Sequence, residues 1–126
     1  MSGTGVLVVE NGASRGALTA VRSLAAAGWR VGVGSPAGRG PASSSRACHR
    51  RHRVPAAHED SAAFLAAVRA AVAGSRYEVV FGAGEAEVLA LSAARDTVGA
   101  GVPYAEHAQV VRAIDKQELC AAARQA

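Results

Sequence analysis

The chain of 126 residues carries a formal net charge of +4, and half of its residues are hydrophobic although only 4% are aromatic. This length suits one domain that buries a core of its own, without disulfide or metal staples. Cys48 and Cys120 stand far apart in the sequence, which excludes a CxxC metal knuckle and favours a reducing, cytoplasmic location. No apolar run approaches the length of a membrane span, so we expect no membrane partner.

The stretch VLVVENGASRGALTAVRSLAAAGWRVGVG, residues 6–34, predicts a βαβ unit. Its first four residues are apolar, as in a buried strand, and a polar turn with Gly12 and Gly16 separates them from apolar residues at helical spacing. Gly28 suits the end of that helix, and the alternation over 29–33 begins a second strand. Two strands joined in this way are expected to be parallel.

The remainder continues the alternation of strands and helices. The predicted elements are a short helix over 43–49, an edge strand over 52–54, a helix from 59–61 to Gly74, a strand over 77–81, a helix over 85–97, a minimal fifth strand over 102–104, and a helical region from Glu106 that restarts at Asp115.

This order predicts a doubly wound α/β fold, a three-layer α/β/α Rossmann-like domain with a mostly parallel five-stranded sheet. In such folds the ligand lies beyond the carboxyl ends of the strands, where the strand order reverses. Here that point falls between the first and fourth strands, so residues 10–15 should lie beside residues 82–87.

One interpretation of the turn ENGASRG is a dinucleotide site like that of short-chain dehydrogenases. Gly12 and Gly16 match the glycine pattern, but Leu18 stands where the third glycine packs the helix on the strand. That family also needs a Tyr followed four residues later by a Lys, and neither Tyr77 nor Tyr104 has one. A stand-alone nucleotide or dinucleotide binder stays open, without hydride-transfer chemistry.

A second interpretation is a hydrolase nucleophile elbow. The turn satisfies GxSxG with Ser14 at its centre, and Asp96 and His107 follow in the order of the hydrolase triad. The elbow would, however, follow the first strand, and a hydrolase fold needs earlier strands to supply its oxyanion loop. A turn or helix-capping role for Ser14 is therefore favoured.

A third interpretation depends on the whole chain. The segments VLVVENGASRGALTAVRSLAAAGWRVGV, SSSRACHRRHRVP, EAEVLALSAARDTVGAGVPY and VVRAIDKQELCAAARQA resemble, in order and spacing, the N-terminal domain of ATP-grasp enzymes. The carbamoyl-phosphate-synthase-like and biotin-carboxylase-like members are the most similar. The final segment is the most specific, because a helix that opens with Asp115 and Lys116, with a Leu three residues on, is how that family leaves its first domain.

The resemblance implies residues 1–114 as a pre-ATP-grasp domain and 115–126 as the start of a helix that leads into an ATP-grasp domain. The parent enzyme would use ATP and magnesium to activate a carboxylate as an acyl phosphate for attack by an amine or related nucleophile. The magnesium ligands and the glycine-rich lid would lie in later domains, so the chain alone is expected to be inactive. A homodimer stays open.

Five residues are candidates for ligand contact. Glu10, Asn11, Arg15 and Glu85 lie at the predicted crevice and would hold an amine or carboxylate substrate. Three of these four have a structural alternative: Asn11 in the turn, Arg15 in an ion pair, and Glu85 at a helix N-terminus. Lys116 matches a family position whose ammonium group reaches an ATP phosphate, and its alternative is a solvated lysine in the first turn of a helix. No catalytic residue and no metal ligand is assigned in this chain.

The basic run over 46–53 invites a nucleic-acid interpretation. No aromatic residue is interleaved to stack on bases, so we expect no nucleic-acid partner and a solvated edge strand protected by charge.

Overall fold

The computed structural model describes residues 4–115 and 123–124 and shows a mixed α/β fold around a parallel sheet. Its elements are β1 (Gly5–Val9), α1 (Arg15–Ala26), β2 (Arg30–Ser35), β3 (Arg50–Arg53), α2 (Ser61–Ser75), β4 (Val79–Gly82), α3 (Glu85–Ala93), a 3₁₀ turn (Arg95–Thr97) and α4 (His107–Ile114). The strands lie in the order β3-β2-β1-β4, and every neighbouring pair is parallel.

Hydrophobic clusters cover both faces of the sheet. Alternate residues of β1 point to opposite faces, so Val6 and Val8 join α1 while Leu7 and Val9 join α2 and α3. The hydrophobic residues of β1 are each at most 2% exposed, as expected for a central parallel strand. The strand order therefore reverses between β1 and β4, where the sequence predicted it.

The predicted fifth strand is wrong, because the sheet has four strands among the described residues. The segment that follows the 3₁₀ turn contributes one isolated parallel bridge, Val79 with Gly101. Pro103 has no N–H to continue the ladder, and the N–H of Tyr104 donates to the Val102 carbonyl oxygen at 2.8 Å in a local turn. The chain thus leaves the sheet after one bridge.

Three local predictions also need correction. Residues 43–49 form successive turns instead of a short helix, with the Ser44 N–H donating to the Gly40 carbonyl. The helix α2 passes through Gly74, and Arg76 (φ 56°) supplies its left-handed cap. The helix predicted over 85–97 ends at Ala93 and continues as the 3₁₀ turn. The cap at Gly28 is confirmed by its φ of 95°.

The helices in the described part of the chain are all too short or too polar to cross a lipid bilayer.

Tyr77 packs on the sheet in space that a glycine leaves open. The side chain is 3% exposed and lies over Gly32, where an added Cβ would overlap the phenol oxygen. The hydroxyl lies 2.6 Å from His52 Nε2, and the Arg30 guanidinium stands 5.5 Å from the ring centroid. Position 32 must therefore lack a side chain for the edge of the sheet to close in this way.

We expect Gly32→Ala to lower the free energy of unfolding by about 1–3 kcal/mol, because the methyl group would displace a buried ring. Gly74→Ala is the matched control: its Cβ meets nothing within 4 Å in the interior of α2, so it should raise stability by about 0.5–1 kcal/mol. Urea denaturation measures both. A Gly32→Ala variant as stable as the parent would show that Tyr77 does not depend on this space.

Candidate functional site

The carboxyl end of β1 is closed by Glu10, which is 4% exposed. Its Oε2 accepts hydrogen bonds from the N–H groups of Gly12 (2.7 Å) and Ser14 (3.3 Å). Its Oε1 is shut off from solvent and has no hydrogen-bond partner among the described residues. A buried carboxylate oxygen without a donor is energetically costly, so Oε1 is the principal unsatisfied hydrogen-bond acceptor at this edge of the sheet.

The polar side chains in the turn after Glu10 form local hydrogen bonds. Asn11 Oδ1 accepts from the Ala13 N–H at 2.9 Å, and Ser14 caps α1 by accepting from the Ala17 N–H at 3.0 Å. Gly12 has φ 97°, a conformation that side-chain-bearing residues rarely adopt. The loop after β2 covers the turn, since a Cβ at Gly40 would lie 2.6 Å from the Gly12 carbonyl oxygen.

The carboxyl end of β4 lies beside the same point. The Ala83 N–H donates to the Val9 carbonyl oxygen at 2.9 Å, which joins the two strand ends. Tyr104 holds Gly82 from the other side: its hydroxyl accepts from the Gly82 N–H (2.7 Å) and donates to the Gly82 carbonyl oxygen (3.1 Å). Burial raises the pKa of the Tyr104 phenol, and the Glu87 carboxylate adds to the effect, so the phenol remains a donor.

A second carboxylate, that of Glu87, is buried at this edge with 7% exposure. It lies in the first turn of α3, where the helix dipole favours negative charge. A Cβ at Gly84 would meet its Oε2 at 3.3 Å, and a Cβ at Gly82 would meet the Glu87 Cβ at 3.0 Å. Both glycines therefore leave the room that the carboxylate occupies.

Our site prediction did not include Glu87. A signal for it exists in the sequence, because Glu87 precedes the buried Leu91 by one helical turn and so shares its inward face. A charged residue on the inward face of a helix, shortly after Gly82 and Gly84, indicates a buried carboxylate.

The predicted site residues at this edge differ in their exposure to solvent. Glu10 is buried, whereas Asn11, Arg15 and Glu85 are exposed around it, the last two as the first residues of α1 and α3. Asn11 makes the turn, as its structural alternative proposed. Lys116 lies outside the described residues, so its role in ATP binding stays a prediction.

The hydrolase interpretation is not supported by this geometry. Ser14 is extended (φ −76°, ψ 120°) and acts as the cap of α1. His107 is held elsewhere, with its Nδ1 2.8 Å from the Ser92 hydroxyl. Ser14 and His107 therefore have separate structural partners.

The basic run forms the edge strand β3, as predicted, with its arginines exposed. His52 is the exception, because its ring turns inward to the Tyr77 hydroxyl. Burial lowers the pKa of His52, and the neighbouring Arg50 guanidinium lowers it further. The neutral ring can accept a hydrogen bond from the Tyr77 hydroxyl, and burial raises the pKa of that phenol, which keeps it a donor.

Comparison with known proteins leaves the assignment to the residues themselves: no protein-family model and no curated protein matches this sequence.

Removal of the buried carboxylate should destabilise the turn. We expect Glu10→Ala to lower the free energy of unfolding by about 1–2 kcal/mol, because two N–H groups lose their acceptor. Glu10→Gln keeps an acceptor oxygen and should lose less. The control is Asn11→Ala, an exposed turn contact expected to change stability by no more than about 0.5 kcal/mol. Equal urea midpoints for Glu10→Ala and Asn11→Ala would contradict this role.

Protonation of His52 should make the protein less stable at acidic pH. The unfolded imidazole, with a pKa of about 6.5, binds a proton more readily than the folded one. The contribution of His52 to the free energy of unfolding should therefore have its full value above pH ~6.5 and decline as the pH falls below that value. His52→Gln should remove that part of the decline, while His58→Gln, at an exposed position, should leave it. Parallel pH profiles for both variants would contradict the assignment.

Proposed function

We propose that this chain is the N-terminal substrate-binding domain of an ATP-dependent carboxylate–amine ligase, and that the edge between β1 and β4 holds the amine substrate. The observation that carries the proposal is the Glu10 carboxylate, buried at the strand reversal with Oε1 lacking a donor among the described residues. The sequence resemblance to ATP-grasp enzymes and the parallel α/β fold support the same assignment.

The sign of the charge favours an amine over a carboxylate. Glu10 and Glu87 are both buried at this edge, and Glu85 lies exposed in the same first turn of α3. An ammonium group would give Glu10 Oε1 a charge-assisted hydrogen bond, which is about twice as strong as a neutral one. A carboxylate ligand would instead bring a third negative charge against two that are already desolvated.

The dinucleotide alternative is disfavoured by the same contacts. A Rossmann turn binds pyrophosphate with the N–H groups that open its helix. Here the Ala17 N–H already donates to the Ser14 side chain, and the Gly12 and Ser14 N–H groups of the preceding turn donate to Glu10. A phosphate at the start of α1 would therefore lie close to the domain's own carboxylate, which repels it.

The described residues do not fit ATP or magnesium at this edge. The Glu10 carboxylate lies in the turn directly before α1 and opposes a phosphate there, and no group of three or more His, Cys, Asp or Glu residues in the described ranges is arranged to hold a metal ion. We therefore assign ATP, magnesium and the acyl transfer to the domain proposed to follow. Lys116 is proposed, from the resemblance alone, to reach the ATP phosphates there.

The first test is binding of butylamine against butyrate at equal ionic strength. Because Oε1 is closed off from solvent, binding requires local opening, which the amide resonances of Gly12 and Ser14 should report by NMR. We expect butylamine to shift both resonances and butyrate to leave them. Glu10→Gln should abolish the shift, and Glu85→Gln, an exposed acid of the same edge, should retain it. Equal response to butyrate, or unchanged butylamine binding by Glu10→Gln, would overturn the amine site.

The ligase assignment is tested separately. The chain expressed with whatever its gene encodes after Ala126 should release ADP from ATP only when both an amine and a carboxylic acid are supplied. Glu10→Gln should then raise the KM for the amine more than it lowers kcat, since uniform binding is lost. A stop codon directly after Ala126 would favour the stand-alone binder.

A further inference from the structure

The turns between β2 and β3 enclose a second, separate pocket. It has a volume of about 320 Å³ and is lined by Ser43, Ser44, Ser45, Cys48, His49, Arg50 and Arg51. It lies at the β3 edge of the sheet, two strands away from the amine site proposed at β1 and β4.

The lining is rich in donors. Ser43 is 4% exposed, and its Oγ is buried with no hydrogen-bond partner among the described residues. A buried hydroxyl without a partner is costly. Ser43 lines the pocket, but its Oγ is closed off from solvent, so an acceptor in the pocket reaches this donor only after the side chain rotates about χ1. The unpartnered Ser43 hydroxyl therefore suits a ligand that accepts hydrogen bonds.

The cations beside it come from consecutive residues of β3. Arg51 pairs in register with Val33, whose side chain packs in the cluster that also contains Ala42. Arg51 thus lies on the face where the serine turns lie. Arg50 projects to the other face, where its guanidinium donates to Ser75 Oγ at 3.2 Å. Arg51 is the guanidinium that remains on the side of the serines.

The residues that line the pocket include no Asp or Glu, and they come from an acid-free segment of the sequence. Residues 11–58 include eight arginines and no Asp or Glu. Cys48 does not add negative charge either, because burial raises the pKa of its thiol and the thiol donates to the Arg50 carbonyl oxygen at 3.2 Å. An anion would therefore meet positive potential from its whole sequence neighbourhood.

We propose that this pocket, the serine–arginine pocket, binds the phosphate group of a small molecule. Hydroxyls and a guanidinium are the donors that commonly hold phosphate, and the pocket is concave and small. A nucleic-acid strand is the less suitable occupant, because no Phe, Tyr or Trp side chain lines the pocket to stack on a base.

The test is titration of the 126-residue chain with inorganic phosphate and with glycerol phosphate, followed by NMR amide shifts of residues 43–51. We expect saturable binding in the millimolar range or tighter. Arg51→Gln should weaken binding about tenfold or more, as expected from losing a charged contact. Arg53→Gln is the matched control: it removes the same charge two residues along β3 but does not line the pocket.

Ser43→Ala separates binding from folding. It removes a hydroxyl with no partner, so the melting temperature should stay equal or rise while phosphate binding weakens. The proposal is overturned if phosphate does not saturate, if Arg51→Gln and Arg53→Gln weaken it equally, or if Ser43→Ala binds as the parent does. Tighter binding of an oligonucleotide than of glycerol phosphate at equal phosphate concentration, with a steep salt dependence, would assign the surface to nucleic acid instead.

Discussion

The turn between β1 and α1 is held by a carboxylate of the chain itself. Gly12 and Ser14, which precede the helix, donate to Glu10, and the Ser14 side chain accepts from Ala17 in the first turn of α1. The start of a helix after a central parallel strand is an anion site, and Glu10 places a carboxylate directly before it. The ligand chemistry of this edge follows, because a site that contains its own negative charge selects against phosphate and in favour of a cation. The exposed residues around Glu10 can change the ligand's affinity, but they do not reverse this sign.

Glycines decide how closely two buried polar side chains approach the backbone, one at that edge and one over β2. Gly82 and Gly84 leave space for Glu87, and Gly32 leaves space for Tyr77. In both places a side chain larger than hydrogen would collide with a buried group, so two polar side chains lie against backbone rather than against solvent. Burying a carboxylate or a phenol is costly unless its hydrogen bonds are supplied. Tyr77 finds His52 and Tyr104 finds Gly82, which leaves Glu10 Oε1 as the unsatisfied carboxylate oxygen among the buried groups described.

The order of strands and helices could be predicted from the sequence because β1 is continuously apolar and α1 follows helical spacing, and both signals are local. The reversal between β1 and β4 follows from that order and the right-handed crossover rule. The fifth strand could not be predicted reliably, since its outcome depends on Pro103 and on a local bond from Tyr104 to Val102. The end of α2 at Ser75 instead of Gly74 was missed for a similar reason: the left-handed cap is Arg76, and such a cap on a non-glycine residue leaves little trace in composition. Glu10 was found because it ends a strand, whereas Glu87 was missed because a first-turn acid is also typical of a solvated helix start.

The two proposed sites have opposite charge, and the division begins in the sequence. All acidic residues from position 11 onward follow residue 58, while eight arginines precede it. The doubly wound topology sends the acid-free part to β2 and β3 and brings the acidic part back beside β1 at β4. The fold therefore places the buried carboxylates Glu10 and Glu87 at the reversal point and the guanidinium groups of Arg50, Arg51 and Arg53 at the far edge. A molecule with an amine at one end and a phosphate at the other would match both signs.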